Sequence, residues 1–270
     1  KTGFDDLIVH DELTDDLTQR HIELLNKAEK YKKAGKKFFL YLHYSNIHTE
    51  IMQNVLKKYN NFSSEYFSNK EKNIQFYNKL FFDSDVYLGK ILQHYQNLNL
   101  DEDTLLVVIS DHGISTGEKF GERGYGVFCY DYTLLSGAMF CHKNIKPIQI
   151  KNQVRSIDIL PTILELLSIN QDPAYEKIQG KSLVPLMNGK IESRIAFSQS
   201  GNPLSSSKPP KEPNVSAVRT DEWKFILNHY DDTEELYNLK TDPKENNNLV
   251  TKENKIVQDL RKILKNHLEL

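Results

Sequence analysis

Cysteine is scarce in this 270-residue chain: Cys129 and Cys141 are the two it has. A pair cannot build a disulfide framework or a thiolate metal cluster, so neither chemistry organises the fold. An excess of one charge is missing too. Thirty-five Lys and Arg against 37 Asp and Glu leave a formal charge of -2, which gives no reason to expect a nucleic-acid partner. No apolar run approaches the roughly 20 residues that span a bilayer. Internal repeats are absent as well. Lys1 opens directly on Thr2-Gly3-Phe4-Asp5, with no initiator Met and no signal peptide. The chain is therefore expected to begin partway through a longer protein, whose upstream part would hold any targeting segment. What remains is 39% hydrophobic and 27% charged, an ordinary globular composition. It suffices for one large α/β domain, or one with a small appendage.

The most informative stretch present is Thr104-Leu105-Leu106-Val107-Val108-Ile109-Ser110-Asp111-His112-Gly113. Six apolar or β-branched residues without alternation predict a strand buried on both faces, as in parallel α/β sheets. A carboxylate, an imidazole and a glycine follow Ser110, and ligand groups in open α/β sheets collect at the carboxyl ends of strands. Neighbouring strand residues point to opposite faces, so Asp111 and His112 serve one site only if the strand has ended there. Gly113 permits that bend by tolerating positive φ. Such a pair can ligate a divalent metal, act as a base with its orienting partner, or merely cap a loop or helix. Its placement after this strand favours a site.

Upstream, Leu7 to about Ala34 has helical periodicity, with Thr14 or Asp15 as cap and Gly35 as terminator. Lys37 to Tyr44 reads as a second buried strand, which places His48 just beyond its end. A lone histidine is more often structural; His48 gains interest from sharing a sheet edge with Asp111. Residues 50–73 read as loop with short helices, and Ile74 to Gln96 as a helix delivering the chain to the central strand.

Downstream of Gly113, glycines 113, 117, 121, 124 and 126 exclude regular structure and allow close backbone approach to a ligand. Lys119 and Arg123 are equally well read as anion contacts or as solvated loop charges. This loop holds no Gly-Lys-Ser/Thr opening a helix, so it is not a nucleotide-binding P-loop. Thr133 to Cys141 reads as a strand. Val154 to Ser168 reads as a helix capped by Ser156 or Asp158, with Arg155 and Asp158 in structural roles. Gly180 to Leu186 is a short docked segment. Gly201 to Asn214, with four prolines and three serines in a row, reads as a surface loop. Beyond it, Val215–Arg219, Trp223–Leu227 and Glu235–Leu239 predict a small antiparallel sheet. Ile256, Leu260, Ile263, Leu264 and His267 mark one face of a terminal amphipathic helix. Two units are expected, residues 1–195 and 196–270. The first is an α/β fold with a mainly parallel mixed sheet flanked by helices; the second is a small antiparallel sheet plus helix.

Seven landmarks in order resemble the C-terminal part of the sulfatase family of the alkaline-phosphatase superfamily. They are Thr2-Gly3-Phe4-Asp5; Phe38-Phe39-Leu40-Tyr41-Leu42 leading to His48; Val107 to Gly113; and Tyr130-Asp131. Ser156 to Leu164, Gly180-Lys181-Ser182-Leu183, and Glu235 to Leu239 with Asp242-Pro243-Lys244-Glu245-Asn246 complete the series. The resemblance implies an alkaline-phosphatase-like fold and a metal-dependent sulfuric ester hydrolase. It makes Asp111 and His112 the late pair of metal ligands and His48 a contact to the sulfate or phosphate group.

The departures matter equally. The family's early carboxylate ligands and its nucleophile are absent: neither Cys129 nor Cys141 lies in a Cys/Ser-x-Pro-x-Arg motif. This chain alone is expected to be inactive. The family's anion-binding lysine falls where Gly126 stands, so Lys119 and Arg123 are the nearest substrate-binding candidates. The implied cofactor is a divalent metal: Ca, or Mn or Zn, towards which the imidazole of His112 tilts the choice. The nine histidines do not otherwise cluster. Implied partners are a sulfated or phosphorylated small molecule or glycan, with no nucleic acid and no membrane span. Alternatives within the superfamily are a phosphodiesterase, phosphonate hydrolase or phosphotransferase, and outside catalysis a glycan-binding relative.

Overall fold

The computed structural model describes residues 3–11, 13–174, 176–203 and 210–268. Thr2 of the first landmark and the centre of the proline- and serine-rich loop, 204–209, lie outside the described residues. No described helix is long and apolar enough to cross a membrane.

Helix α1 (Leu17–Lys33) starts later than its periodicity suggests, because the cap is Asp16 rather than Thr14 or Asp15. Asp16 Oδ1 accepts from the amides of Thr18 at 2.9 Å and Gln19 at 3.2 Å, satisfying two donors that a helix start leaves open. The run Lys37 to Tyr44 forms no ladder with described residues, yet its burial alternates with a strand's period of two. Phe38 and Leu40 join Leu106 on a core of Leu25, Ile91, Tyr95 and Leu100. Phe39 and Tyr41, facing the other way, are 72% and 61% exposed. The expected two-sided burial is thus one-sided here.

That run leads into α2 (Asn46–Ile51), which continues as a π-helical turn over Met52–Leu56. Helix α3 (Ser64–Ser68) and the long α4 (Lys70–Asn97) follow, and α4 packs on α1. Strand β1 (Leu106–Ile109) pairs antiparallel with β2 (Ala138–Cys141), Leu106 opposite Cys141 and Ile109 opposite Ala138. Among described residues no parallel pair appears. The strand expected over Thr133 to Cys141 divides instead. Its first part is a single helical turn, α5 (Asp131–Leu134), closed by bonds from Thr133 and Leu134 amides to the Tyr130 carbonyl.

Ser156–Asp158 form a 3₁₀ turn before α6 (Ile159–Leu166), and α7 (Val184–Met187) docks nearby. Buried Asp158 holds this region together, accepting from Arg155 and Arg194, each at 2.9 Å, and from the Lys181 amide at 2.9 Å. Gly180 is needed there because a Cβ would collide with the Ile157 carbonyl.

Strands β3 (Ala196–Ser200), β4 (Val215–Arg219), β5 (Trp223–Asn228) and β6 (Thr233–Asn238) form an antiparallel sheet in sequential order. Strand alternation gives it two faces. Val218, Phe225 and Leu236 receive Val257, Leu260 and Leu264 of α8 (Asn254–Leu268), each fully buried side chain contributing about 2 kcal/mol. Val215, Ala217, Ile226 and Tyr237 face Cys129 and Tyr130 instead. The sheet therefore clamps the segment that follows the glycine-rich loop. The whole is an α/β arrangement with a four-stranded antiparallel sheet and helix at its C-terminal end.

Candidate functional site

The site begins where β1 ends. Ser110 closes the β1–β2 pairing, its amide bonding the Gly137 carbonyl at 3.0 Å and its hydroxyl accepting the Gly137 amide at 2.9 Å. The chain then turns, and the Gly113 amide bonds the Thr133 carbonyl at 2.8 Å. Gly113 is not there for positive φ, as the sequence suggested. A Cβ at this position would strike the Tyr132 carbonyl, so what it supplies is close approach to α5.

Asp111 and His112 emerge at this turn. Asp111 Oδ1 accepts the His112 amide at 2.8 Å, which fixes the carboxylate beside the imidazole. His112 Nδ1 lies 2.7 Å from the Gly113 carbonyl. A carbonyl oxygen carries no proton, so Nδ1 must be the protonated nitrogen and Nε2 of the neutral ring keeps its lone pair. Nε2 is 3.6 Å from Asp111 Oδ2. Two lone-pair donors, one oxygen and one nitrogen, thus stand side by side, with the Asp111 side chain 83% exposed and His112 35%. Fixing one ring nitrogen on a carbonyl so that the other is free is the usual way a metal-binding histidine is oriented. The donors fit a divalent cation as part of a larger set: no group of three or more His, Cys, Asp or Glu converges among the described residues.

The five-glycine loop is ordered by its own polar groups. Ser115 bonds the Gly124 carbonyl through its amide at 2.6 Å and the Glu122 carbonyl through its hydroxyl at 2.9 Å. Tyr66 donates to the Ser115 carbonyl at 2.8 Å. Buried Glu122 accepts the amides of Val127 at 2.8 Å and Phe128 at 3.1 Å. Burial pushes this carboxyl up to about 7, even though the two amides favour its charged form. The loop so closed returns Tyr125 to the β1 terminus. The Tyr125 hydroxyl is 3.1 Å from His48 Nδ1, and its ring centroid is 4.3 Å from that of His112. His48, on the first turn of α2, is therefore tied to His112 through an aromatic side chain.

Lys119 and Arg123 are placed differently from the other candidates. Lys119 donates to the Glu245 carbonyl and sits 5.0 Å over the Tyr130 ring. Arg123 bonds the carbonyls of Tyr59 and Leu56 and the side chain of Asn61. Both cations hold the loop to its surroundings, and neither contacts Asp111, His112 or His48.

A second charged cluster lies behind the site. Lys224 is wholly buried between Asp131 and Glu245, bonding Glu245 at 2.9 Å, and Arg219 reaches Asp131 at 2.9 Å. Glu245 also accepts the Asp131 amide at 2.6 Å. Burial pushes the Asp131 carboxyl up, but Lys224 and Arg219 outweigh it and hold it below its ordinary value. This cluster pins α5, α5 pins Gly113, and Gly113 aims the Asp111–His112 pair. Sequence reasoning missed it, and missed Tyr125, although an aromatic flanked by Gly124 and Gly126 was a visible signal.

A family model described as Sulfatase matches residues 4–169, and one described as N-sulphoglucosamine sulphohydrolase, C-terminal, matches residues 137–270. Arylsulfatase K of Gallus gallus is 30% identical over 70% of this chain and 36% of its own length. The chain thus spans about a third of the length of such relatives. Among solved structures, yidJ of Bacteroides fragilis, described as a proposed sulfatase, is similar over 94% of this chain and 57% of its own, with TM-score 0.68 and 18% identity. BT4656, solved with its substrate D-glucosamine-2-N,6-O-disulfate, is similar over 68% of this chain and 38% of its own, with TM-score 0.54 and 23% identity. Both structural likenesses concern the fold.

Proposed function

The chain belongs to the sulfatase family, and from that membership we propose that it carries the late metal ligands of a sulfuric ester hydrolase. The observation that supports this most is the pairing of His112 Nε2, which in the neutral ring carries the lone pair, with Asp111 Oδ2 at 3.6 Å. Asp111 and His112 would hold a divalent cation: Ca, or Mn or Zn, which an imidazole donor suits better. When bound, such a cation supplies positive charge beside an anionic ester and its nucleophile.

The chain's own residues do the rest of what can be assigned. Asp111 would neutralise part of the cation's charge, His112 would donate through nitrogen, and His48 would contact the ester's anionic oxygens. Lys119 and Arg123 would have to leave the carbonyls they hold to join it, so the anion falls first to His48. Two donors are fewer than the four or more of a closed site, so further ligands would have to complete it. The substrate class we propose is a sulfated small molecule or glycan, on the footing of arylsulfatase K and of the glucosamine disulfate bound by BT4656.

Assaying the full-length protein on nitrocatechol sulfate and on a nitrophenyl phosphodiester tests this reading. Metal-dependent sulfate release that vanishes in Asp111→Ala and His112→Ala is expected. Turnover of the phosphodiester alone would move the protein to phosphoryl chemistry, and no metal-dependent turnover of either would count against an enzyme.

A further inference from the structure

The contact between Tyr125 and His48 determines more than proximity. An imidazole has two nitrogens, and which of them carries the proton decides what the ring can do. An anionic oxygen accepts hydrogen bonds and gives none, so a neutral histidine serves it only through an N–H. His48 Nδ1 is occupied by the Tyr125 hydroxyl at 3.1 Å. Either group could formally donate. The phenol O–H, with an ordinary pKa of about 10, is the stronger acid, and the imidazole nitrogen is much more basic than a phenol oxygen. The favoured bond therefore runs from Tyr125 to Nδ1.

We infer that Tyr125 is a positioning residue that fixes the tautomer of His48, donating to Nδ1 so that the ring's proton sits on Nε2 and points outward as a donor. The same tyrosine lies against His112, with ring centroids 4.3 Å apart, so two histidines held in opposite states meet at one side chain. The neutral His112 ring donates its Nδ1–H to the Gly113 carbonyl and offers a lone pair at Nε2; His48 carries its proton on Nε2 and offers it. A cation ligand and an anion contact need those two states. The loop that carries Tyr125 is suited to hold it there. Glu122 clamps the Val127 and Phe128 amides on one side of it, and Ser115 bonds the Gly124 carbonyl on the other. The use assigned to the His48 proton rests on the proposed hydrolase reading; the tautomer itself does not.

The test is long-range proton–nitrogen NMR on protein labelled with ¹⁵N histidine at pH 8, above the ordinary imidazole pKa of about 6.5. In the unmodified protein His48 should show a pyridine-type Nδ1 and a pyrrole-type Nε2. In Tyr125→Phe its two nitrogen signals should draw together as both tautomers become populated, while His112 keeps a protonated Nδ1. A protonated Nδ1 on His48 in the unmodified protein overturns the inference whatever the variant does. So does a Tyr125→Phe spectrum in which His48 is unchanged. Adding Zn²⁺ separates this from the metal reading: failure to shift His112 Nε2 would remove the metal ligand and leave the His48 tautomer standing.

Discussion

Asp111 and Asp131 are the same residue type in opposite circumstances. The Asp111 side chain is 83% exposed and accepts one backbone amide; Asp131 is buried, with Lys224 and Arg219 against its oxygens. A buried carboxylate survives only when its charge is answered, and here the answer is complete within the fold. Asp111 has charge to spare and points it outward beside a nitrogen lone pair. The difference is one of use: one cluster directs its electrostatics to the architecture, and the other leaves its carboxylate facing solvent.

The largest effect should come from breaking the satisfied side. Lys224→Ala leaves two carboxylates, Asp131 and Glu245, buried without their shared cation. A loss of roughly 3–5 kcal/mol is expected, read by urea denaturation. Lys224→Met should cost about as much, since charge rather than packing is what is missing. A loss under 1 kcal/mol in both would mean that the cluster is not what fastens α5 to the sheet.

Glu122 gives the next largest effect, with a definite sign in pH. Its folded-state pKa of about 7 lies above its ordinary value of 4.5, because burial penalises the charge more than the Val127 and Phe128 amides reward it. Below 4.5 the carboxyl is protonated folded or unfolded, and its contribution to stability is fully present. As pH rises to 7, the folded state keeps a proton that the unfolded state has released, and stability falls by up to about 3 kcal/mol. Glu122→Gln should remove that decline. Unfolding free energies of the two proteins should therefore diverge between pH 4.5 and about pH 7; parallel curves would show that folding does not raise the carboxyl's pKa.

Smaller again is Asp16→Ala, which removes the α1 cap and should cost about 1 kcal/mol, with a matching drop in Tm. Asp111→Ala sits at the bottom of the stability scale, within about 0.5 kcal/mol, because an exposed carboxylate with one local bond does little for the fold. That near-neutrality, beside a complete loss of metal affinity, would sharpen the contrast with Asp131 most.

Much of the framework was legible in the residues. The apolar run to Ile109 announced a strand, though β1 is antiparallel and partly exposed rather than covered on both faces; the leucines and isoleucines of 256–264 announced α8, because their spacing records which face is covered. Asp111 and His112 were legible because a strand end is a local feature. What was not legible depends on distant partners. Lys224 meets Asp131 across 93 residues and Glu245 meets the Asp131 amide across 114. No local pattern tells a buried lysine from a solvated one. Lys119 and Arg123 looked free for an anion because backbone carbonyls, their actual partners, leave no trace in sequence. Tyr125 was hidden likewise, since His48 lies 77 residues away. Lys37 to Tyr44 shows the converse: β-forming residues predicted two covered faces, and Phe39 and Tyr41 have one of them bare.

The central claim is that Asp111 and His112 together present a cation-binding pair. Paramagnetic broadening by substoichiometric Mn²⁺ tests it residue by residue. Broadening should fall first on Asp111, His112, Gly113 and the Tyr125 ring, and His112→Ala should remove it while the rest of the spectrum is kept. Broadening scattered over surface carboxylates, or unchanged in His112→Ala, would contradict it.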